Sequence, residues 1–396
     1  MQTITVRRLR WIAPFAAGAA IAAAAILPGV AAGSDHPTLP ARSAAQLLSD
    51  LATAQLPSLS GTIVETARLG LPELPSAGGS AAELSLMNLV TGSHTARVWL
   101  DGPSRQRVAL VGDLAESDVV HNGAAVWIYS STSNTATHLS IPAGALSSAR
   151  TALPSPVPTP AQVTSELLAA VTPTTRVTVD STARVAGRAA YQIVLAPKDS
   201  RSLITSVTIA LDSQTKMPLR VQVYGRDRGT PAFETAFTDV TFTAPPASVF
   251  AFIPPTGSTV TQSTLSQFFA GASGMGHRGK GGDVVATTPG IAGATPSTKG
   301  HTAGGLRTIG SGWTAVVVTD AAGLTGPAPA AAGPPGSLRS SDQLLSLLLR
   351  SATPVAHGRL ITTSLLSALI TDDGHIYIGA VDGAALQRVA ATGQPA

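Results

Sequence analysis

The chain has 396 residues, of which 44% are hydrophobic, 12% are charged and none is cysteine. A chain without cysteine has no disulfides, no thiolate nucleophile, no thiolate metal ligand and no lipid-bearing cysteine of the bacterial lipoprotein type. The formal net charge is only +4, and no basic stretch is interleaved with aromatic residues, which excludes a typical nucleic-acid-binding surface.

The N-terminal segment has the three parts of a secretory signal. Arginines between positions 7 and 10 form a positive start, residues 11–27 form an alanine-rich apolar run, and small residues end at Ala32. This order predicts a signal peptide over residues 1–32. The alternative is an uncleaved anchor, because residues 11–32 are long enough to span about 30 Å of hydrocarbon. Both interpretations predict a protein exported to the extracytoplasmic cell envelope, either secreted or tethered by this segment.

The chain after the signal is mainly β. Apolar and polar residues alternate over 95–100, residues 101–104 form a turn sequence, and 105–111 return. Asn122-Gly123, a strong hairpin dipeptide, leads into 125–129. Further alternating segments lie at 177–179, 191–195, 207–211 and 219–223. Successive strands joined by short turns predict an antiparallel meander.

One alternating segment changes its parity. Phe233 and Phe237 are at odd positions, whereas Val240 and Phe242 are at even positions. A shift of one residue would turn every side chain to the other face of the sheet. We therefore predict a bulge or bend near Thr238–Asp239.

Few helices are predicted, and low-complexity stretches separate two units. Ser43 is a candidate N-cap for a helix ending near Ala54, and further helices are expected at 159–171 and 340–349. The predicted organisation is a main β unit over residues 40–260, a disordered Gly/Ser/Thr-rich insert over 271–305 and a C-terminal unit over 306–392.

The two units contain similar segments. Residues 42–49 resemble 339–346, and at the same offset 61–64 align with 358–361. Either a helix–strand unit is duplicated, or two helices rich in Ala, Leu and Ser agree by coincidence. The C-terminal unit is expected to pack a helix on a strand. Its hairpin, formed by 360–369 and 375–381 around 371–374, is expected to extend the main sheet.

Motifs of nucleotide binding and nucleophilic catalysis are incomplete. Residues 274–280 match the spacing of a phosphate-binding loop, but Gly281 stands where a Ser or Thr should hold magnesium. Ser213 and Lys216 match a serine–lysine pair, but they lie in a polar turn between two strands. We therefore predict a non-enzymatic protein without catalytic residues or cofactor.

The histidines lack the spacing of a metal site. None forms a His-x-x-x-His pair or a His-Glu helix pattern, so no zinc site is predicted. The alternative is a non-local cluster of His94, His121 and His138 on adjacent strands. Surface or hydrogen-bonded histidines are the simpler interpretation.

The segment 125–129 is apolar on both faces of the predicted sheet. Val126 and Ile128 lie on one face, and Trp127 and Tyr129 lie on the other. An antiparallel sheet with one wet face would carry polar residues there. Both faces should therefore be covered, either by helices alone or by a helix on one side and a ligand.

Three segments in order carry a family resemblance. Residues 122–129, with Asn134 and Thr137, resemble an "NG…WxY…N…T" hairpin. Residues 209–221 resemble an "IxLD…MPLRV" strand–turn–strand, and 250–260 resemble a closing "FxFxPPxGxxV" segment. These segments are similar to the LolA-like lipoprotein-carrier and RseB-like sigma-factor-regulator superfamily, most closely to its actinobacterial members.

The resemblance implies a mainly β fold with an α lid, an α+β open antiparallel half-barrel over residues 40–260 followed by a small helix-plus-hairpin unit. In this fold the lid covers an apolar concave face that receives acyl chains. The candidate ligand-binding residues on apolar strands are Val98, Trp99, Val126, Trp127, Ile128, Tyr129, Val207, Ile209 and Val221.

Two functions follow from the resemblance. The first is a cell-envelope carrier of acyl lipid or lipoprotein that works at the membrane surface. The second is an RseB-like regulator that binds the external domain of an anti-sigma factor and senses envelope stress. No nucleic-acid partner is expected.

Overall fold

The computed structural model describes eight segments of the chain, and everything below refers to them. They are residues 37–53, 57–71, 92–112, 116–141, 173–227, 229–264, 307–320 and 352–395. The signal segment, the predicted helices at 159–171 and 340–349, the insert 271–305 and the loop-like motif at 274–280 lie outside them.

A large sheet contains most of the described strands, and one helix precedes it. Helix α1 spans Ala44–Thr53, and the strands are β1 Leu59–Ala67, β2 Gly92–Leu100, β3 Arg105–Val111, β4 Glu116–Asn122, β5 Ala125–Ser130, β6 Thr135–Ser140, β7 Thr175–Val179, β8 Ala183–Val185, β9 Arg188–Pro197, β10 Ser206–Asp212, β11 Pro218–Tyr224, β12 Phe233–Thr241 and β13 Thr259–Thr264.

The large sheet is open. Its thirteen strands follow the order β13-β6-β5-β4-β3-β2-β1-β12-β11-β10-β9-β7, with β8 paired to β9, and the two ends of this order do not meet. All neighbours are antiparallel except β13, which runs parallel to β6. The predicted fold class, a mainly β open half-barrel with few helices, is confirmed.

The predicted bulge lies where the parity of β12 changes. Thr62 of β1 faces Asp239, but the next residue, Ile63, faces Phe237, so Thr238 has no partner across the pair. An extra residue of this kind bends its strand and increases the local twist. Phe237 and Val240 consequently point into the same apolar core, which also contains Leu59, Val98 and Leu219.

Helix α1 begins at the predicted cap and covers one end of the large sheet. The Ser43 Oγ accepts a hydrogen bond from the Gln46 amide at 3.2 Å, and the Gln46 Oε1 accepts one from the Ser43 amide at 2.9 Å. This reciprocal pair is a capping box. Leu47 of α1 is fully buried against Tyr191 and Ile193 of β9.

A second, smaller sheet forms the C-terminal unit. Its order is β14-β15-β19-β18-β17-β16, and helix α2 packs on it through Leu386 and Val389. Asp382 caps α2 by accepting a hydrogen bond from the Ala385 amide. The elements are β14 Arg307–Ile309, β15 Val316–Asp320, β16 Thr353–Val355, β17 Gly358–Thr362, β18 Ser367–Thr371, β19 His375–Gly379 and α2 Gly383–Thr392.

The C-terminal hairpin differs from the prediction in two ways. The segment 360–369 is not one strand, because Thr363 turns the chain between β17 and β18 by bonding to Leu366. The hairpin also does not extend the large sheet, since β18 and β19 pair within the second sheet. The physical reason is that this sheet buries its own apolar core beneath α2.

The two sheets are joined by short backbone contacts. The Leu203 amide donates to the Ala380 carbonyl at 2.8 Å, and the Ser364 amide donates to the Leu69 carbonyl at 2.9 Å. Leu365 packs with Leu69 and Ala232 in a small apolar cluster. The second sheet is therefore attached at the loop between β9 and β10 and at the end of β1.

Within the segments that are described, no helix is both long enough and apolar enough to cross a bilayer.

Candidate ligand-binding face

The strand register places the candidate residues on two different faces. Val98, Val108, Val119 and Ile128 are partners in successive strand pairs from β2 to β5, so they share one face.

The same face continues in the other direction across the sheet. His94 of β2 pairs with Glu65 of β1, and Glu65 pairs with Thr235 of β12. Thr235 pairs with Val221 of β11, which pairs with Ile209 of β10. Ile209 packs in the cluster beneath α1. We call this surface the α1 face.

Of the candidates, six lie on the α1 face. Val126 aligns with Leu139 and His121 on that face, and Val207 aligns with Val223. Apart from buried Val98, these candidates are partly exposed. The six candidates are Val98, Val126, Ile128, Val207, Ile209 and Val221.

The aromatic candidates lie on the opposite face and are covered by the chain itself. Trp127 and Tyr129 contact Phe252, with ring centroids 5.4 and 5.9 Å apart. Trp99 lies beneath the guanidinium of Arg107, 5.4 Å from its ring centroid. The segment after β12 covers this face through Phe252. The sheet therefore separates Trp99, Trp127 and Tyr129 from the other six candidates.

A buried ion pair holds that covering segment in place. Arg107 donates its Nε to the Oδ1 of Asp118 at 3.0 Å and its Nη1 to the carbonyl of Val249 at 3.3 Å. Asn122 donates its Nδ2 to the carbonyl of Phe250 at 3.2 Å. The short 3-10 turn Ala247–Phe250 is thereby fixed against β3 and β4. No sequence pattern predicts these contacts, because their partners are more than a hundred residues apart in the chain.

A pair of ionisable residues lies among the side chains of the α1 face. Glu65 of β1 is directly opposite His94 of β2. The Glu65 Oε1 and the His94 Nδ1 are both buried, and neither has a hydrogen-bond partner. Burial raises the pKa of Glu65 above its ordinary value. The sequence pattern alone does not single out Glu65, because an alternating strand does not reveal which of its faces is covered.

The aspartate of the "IxLD" motif has a structural role. Asp212 is fully buried and accepts hydrogen bonds from the Nε of Arg188 at 2.6 Å and the amide of Thr215 at 2.8 Å. Burial alone would raise its pKa, but the bonds from Arg188 and Thr215 outweigh it and lower the pKa of Asp212. Arg188 also lies over the ring of Phe242.

The residues considered for catalysis are not arranged for it. Lys216 donates its Nζ to the backbone carbonyl of Ser213 and not to the hydroxyl. Its ammonium lies 5.3 Å from the ring centroid of Tyr191. Lys216 has a positive φ of 62°, as expected in a tight turn. The serine–lysine spacing is thus explained by a hairpin turn.

The hypothetical histidine cluster is not formed. His94, His121 and His138 belong to β2, β4 and β6, which are not neighbours in the sheet. His121 bonds to the carbonyl of Gly123, whereas His138 and its cross-strand partner Trp127 pack together on the face opposite the α1 face. Among the residues that the structure describes, no three His, Asp or Glu side chains gather at a metal-binding distance.

Two cavities lie away from the α1 face. One of about 340 Å³ is between α2 and the second sheet, with Leu369, Tyr377 and Ala390 in its wall and Asp372 at its rim. The other, of about 240 Å³, lies between the two sheets, where Arg68 faces residues around Gly225.

A known family matches the part of the chain that forms strands β2 to β12 and most of β13. Residues 83–262 match the family model described as "Predicted periplasmic protein (DUF2092)". This is slightly less than half of the chain. No curated protein sequence matches significantly.

Solved structures of two groups are similar to this chain. The Pseudomonas aeruginosa MucA/MucB complex matches with a TM-score of 0.41 and 16% identity, covering 88% of this chain and 96% of the matched chain. The LolA superfamily protein NE2245 from Nitrosomonas europaea matches with a TM-score of 0.22 and 10% identity, covering 54% and 99%. The second of these proteins is named as a member of the LolA superfamily, one of the two groups that the sequence motifs resemble. Structural similarity with TM-scores below 0.5 does not establish a shared function.

Proposed function

We propose that the protein is an extracytoplasmic binding protein that holds the acyl chains of a lipid or lipoprotein on its α1 face. The observation that carries the proposal is the row Val98, Val108, Val119 and Ile128, which crosses four neighbouring strands on one face. A continuous apolar strip on partly exposed strands is the shape that an extended hydrocarbon chain fits. In this role the protein would be a carrier within the cell envelope.

Apolar contact alone is strong enough to hold such a ligand. Burial stabilises each methylene by about 0.8 kcal/mol, so a chain of fifteen methylenes would gain roughly 12 kcal/mol. Part of this gain is offset by the lost freedom of the ligand and the protein. A deep charged pocket is therefore not required for tight binding.

A charge on the apolar strip tests this proposal. The Ile128→Glu variant is expected to lose at least tenfold of the acyl lipid that co-purifies with the wild type, as measured by lipid mass spectrometry. The matched control is Ile253→Glu, because Ile253 is 82% exposed on the covering segment. Circular dichroism is used to check that both variants are folded. Full lipid content in folded Ile128→Glu would overturn the assignment of the face.

A regulator of the RseB-like type is the second candidate, and the attached C-terminal sheet favours it. Holding an acyl chain needs only the large sheet, whereas the second sheet has its own core and its own cavity. We propose that this unit would bind the external domain of an anti-sigma factor. Calorimetric titration of the purified protein with that domain distinguishes the candidates, since a carrier alone gives no binding.

A further inference from the structure

The polar pair on the α1 face has an unusual position. Glu65 and His94 are opposite each other on β1 and β2, a relation that places their Cβ atoms about 5 Å apart. Thr235 faces Glu65 from the other side on β12. Two residues further along the same strands lie apolar Ile63 and Ala96. The pair therefore lies beside the apolar strip, four residues along β2 from Val98.

The buried atoms of this pair lack partners that folding normally supplies. Buried side-chain polar atoms in folded proteins almost always form a hydrogen bond, and leaving one unpaired destabilises the folded state. The Glu65 Oε1 and His94 Nδ1 both remain unpaired. Burial also raises the pKa of Glu65, which fits a carboxyl group desolvated without a compensating cation. Two adjacent polar groups without internal partners are suited to bind a ligand with complementary charges.

The chemistry of the two side chains defines that ligand. A carboxylate accepts hydrogen bonds from an ammonium group, and an imidazole N–H donates to a phosphate oxygen. Arg97, a basic residue on β2, is three positions from His94, so its side chain points to the other face of the sheet. It therefore does not contribute a positive charge beside Glu65. The pair thus offers an acceptor and a donor side by side, which suits a zwitterion.

We propose that Glu65 and His94 bind the phosphoethanolamine head group of an aminophospholipid. Glu65 accepts from the ammonium group, His94 donates to the phosphate, and the acyl chains lie on the apolar strip beginning at Ile63 and Val98. The proposal rests on the acyl-chain binding proposed above and adds the class of lipid.

Competition between lipids tests the head-group site. The purified protein is loaded with a fluorescent fatty acid, which has the chain without the head group. Detergent-dispersed phosphatidylethanolamine, phosphatidylcholine and phosphatidylglycerol with identical acyl chains are then added. We expect phosphatidylethanolamine to displace the probe at a concentration at least tenfold lower than the others, because its ammonium has N–H donors and accompanies a phosphate.

Variants of the pair remove the preference without removing the chain site. In Glu65→Gln and in His94→Leu the preference should fall to within about twofold, while the fatty acid itself still binds. The matched control is Glu234→Gln. Glu234 lies on β12 opposite Thr66 and accepts from Gln222 on the other face of the sheet, so this variant should keep the full preference.

Each remaining outcome decides against a particular claim. A wild type that binds the fatty acid but treats all three lipids alike overturns the head-group site and leaves the acyl site intact. A preference that persists in both pair variants does the same. A wild type that binds no fatty acid overturns both proposals. Displacement by soluble phosphoethanolamine at the concentration of the lipid assigns the pair to a soluble ligand instead.

Discussion

Gly61 lies on β1 beside the bulge of β12, where a side chain has no space. A Cβ atom there would be 2.5 Å from the Asp239 carbonyl oxygen and 2.9 Å from the Phe237 Cδ1. Because the first of these atoms belongs to the backbone, it cannot move away by changing a rotamer. The glycine therefore allows β1 and the bent part of β12 to approach closely.

Replacement of Gly61 by alanine is expected to destabilise the large sheet by about 2 kcal/mol, the typical cost of overpacking a core. Urea denaturation monitored by circular dichroism measures the change in the free energy of unfolding. The control Ser60→Ala, on the same strand, should change it by less than about 0.5 kcal/mol. An equal effect of the two substitutions would contradict the steric explanation.

The buried Asp212 should make stability depend on pH in a defined direction. Its pKa is lowered in the folded protein, so it lies below the value of about 3.9 for an unfolded aspartate. The stabilisation is therefore complete above the unfolded value and is lost as the pH falls through the folded value.

The Asp212→Asn variant leaves Arg188 without its charged partner and is expected to lose about 3 kcal/mol at pH 7. Urea denaturation between pH 7 and pH 3 should show the difference from the wild type shrinking as the pH falls below about 4. A difference that is constant over this range would show that the carboxylate charge is not what stabilises the turn.

At the scale of single elements, α1 is a short helix whose stability depends on its cap and on one apolar stripe. An isolated helix of this length is marginal in water, so the Ser43–Gln46 capping box and the burial of Leu47 together hold it on β9 and β10. Changes at the cap should therefore act locally on the helix that covers the α1 face.

Substitution Ser43→Ala should weaken α1 by about 1 kcal/mol, because it removes the acceptor for the Gln46 amide. Hydrogen–deuterium exchange of the peptide covering 44–53 should become several-fold faster, with little change in the strands of the second sheet. Ser43→Thr retains a hydroxyl and should behave as the wild type. Unchanged exchange in Ser43→Ala would show that packing alone fixes the helix.

At the scale of the whole molecule, the two sheets meet at a point with little spare room. A Cβ atom on Gly225 would lie 2.6 Å from the Ser364 carbonyl oxygen, across the junction. The same junction includes the backbone bond between Leu203 and Ala380. The relative position of the sheets thus depends on this glycine, on a few backbone groups, on the apolar cluster around Leu365 and on the hydrogen bond from the Trp313 indole to Thr175 of β7.

The Gly225→Ala variant is expected to separate the sheets while each keeps its own fold. Small-angle X-ray scattering should show an increased radius of gyration, with the far-ultraviolet circular dichroism spectrum unchanged. Gly229→Ala is the control, since its Cβ would meet only the flexible Asp227 side chain at 3.6 Å. A radius equal to that of the wild type would mean that the junction adapts without opening.

Local features of the fold could be predicted from the sequence, whereas its long-range pairings could not. The parity change in 233–242 predicted the bulge at Thr238, and Asn122-Gly123 predicted the turn between β4 and β5. No local turn sequence predicts the parallel pairing of β13 with β6, because the two strands are far apart in the chain. The turn sequence 371–374 predicted a hairpin with a strand from residue 375, but the sheet assigned to this hairpin was wrong, because β18 and β19 pair within the second sheet.

The same limit applies to the candidate site. Alternation separated Ile128 from Trp127 correctly, since they are on opposite faces. It did not show that Phe252 covers Trp127, because that contact joins residues far apart in the chain. The orphan atoms of Glu65 and His94 required the register between β1 and β2.

The parallel strand β13 has a consequence for the protein at high concentration. An open sheet presents unpaired backbone groups at its edges, and these can template the addition of strands from other molecules. Here the edge beside β6 is taken by the chain's own hydroxyl-rich strand Thr259–Thr264. The new outermost strand is short and polar, which is how natural sheets discourage edge-to-edge aggregation. The edge of the large sheet beside β6 is thereby protected from strand-to-strand self-assembly.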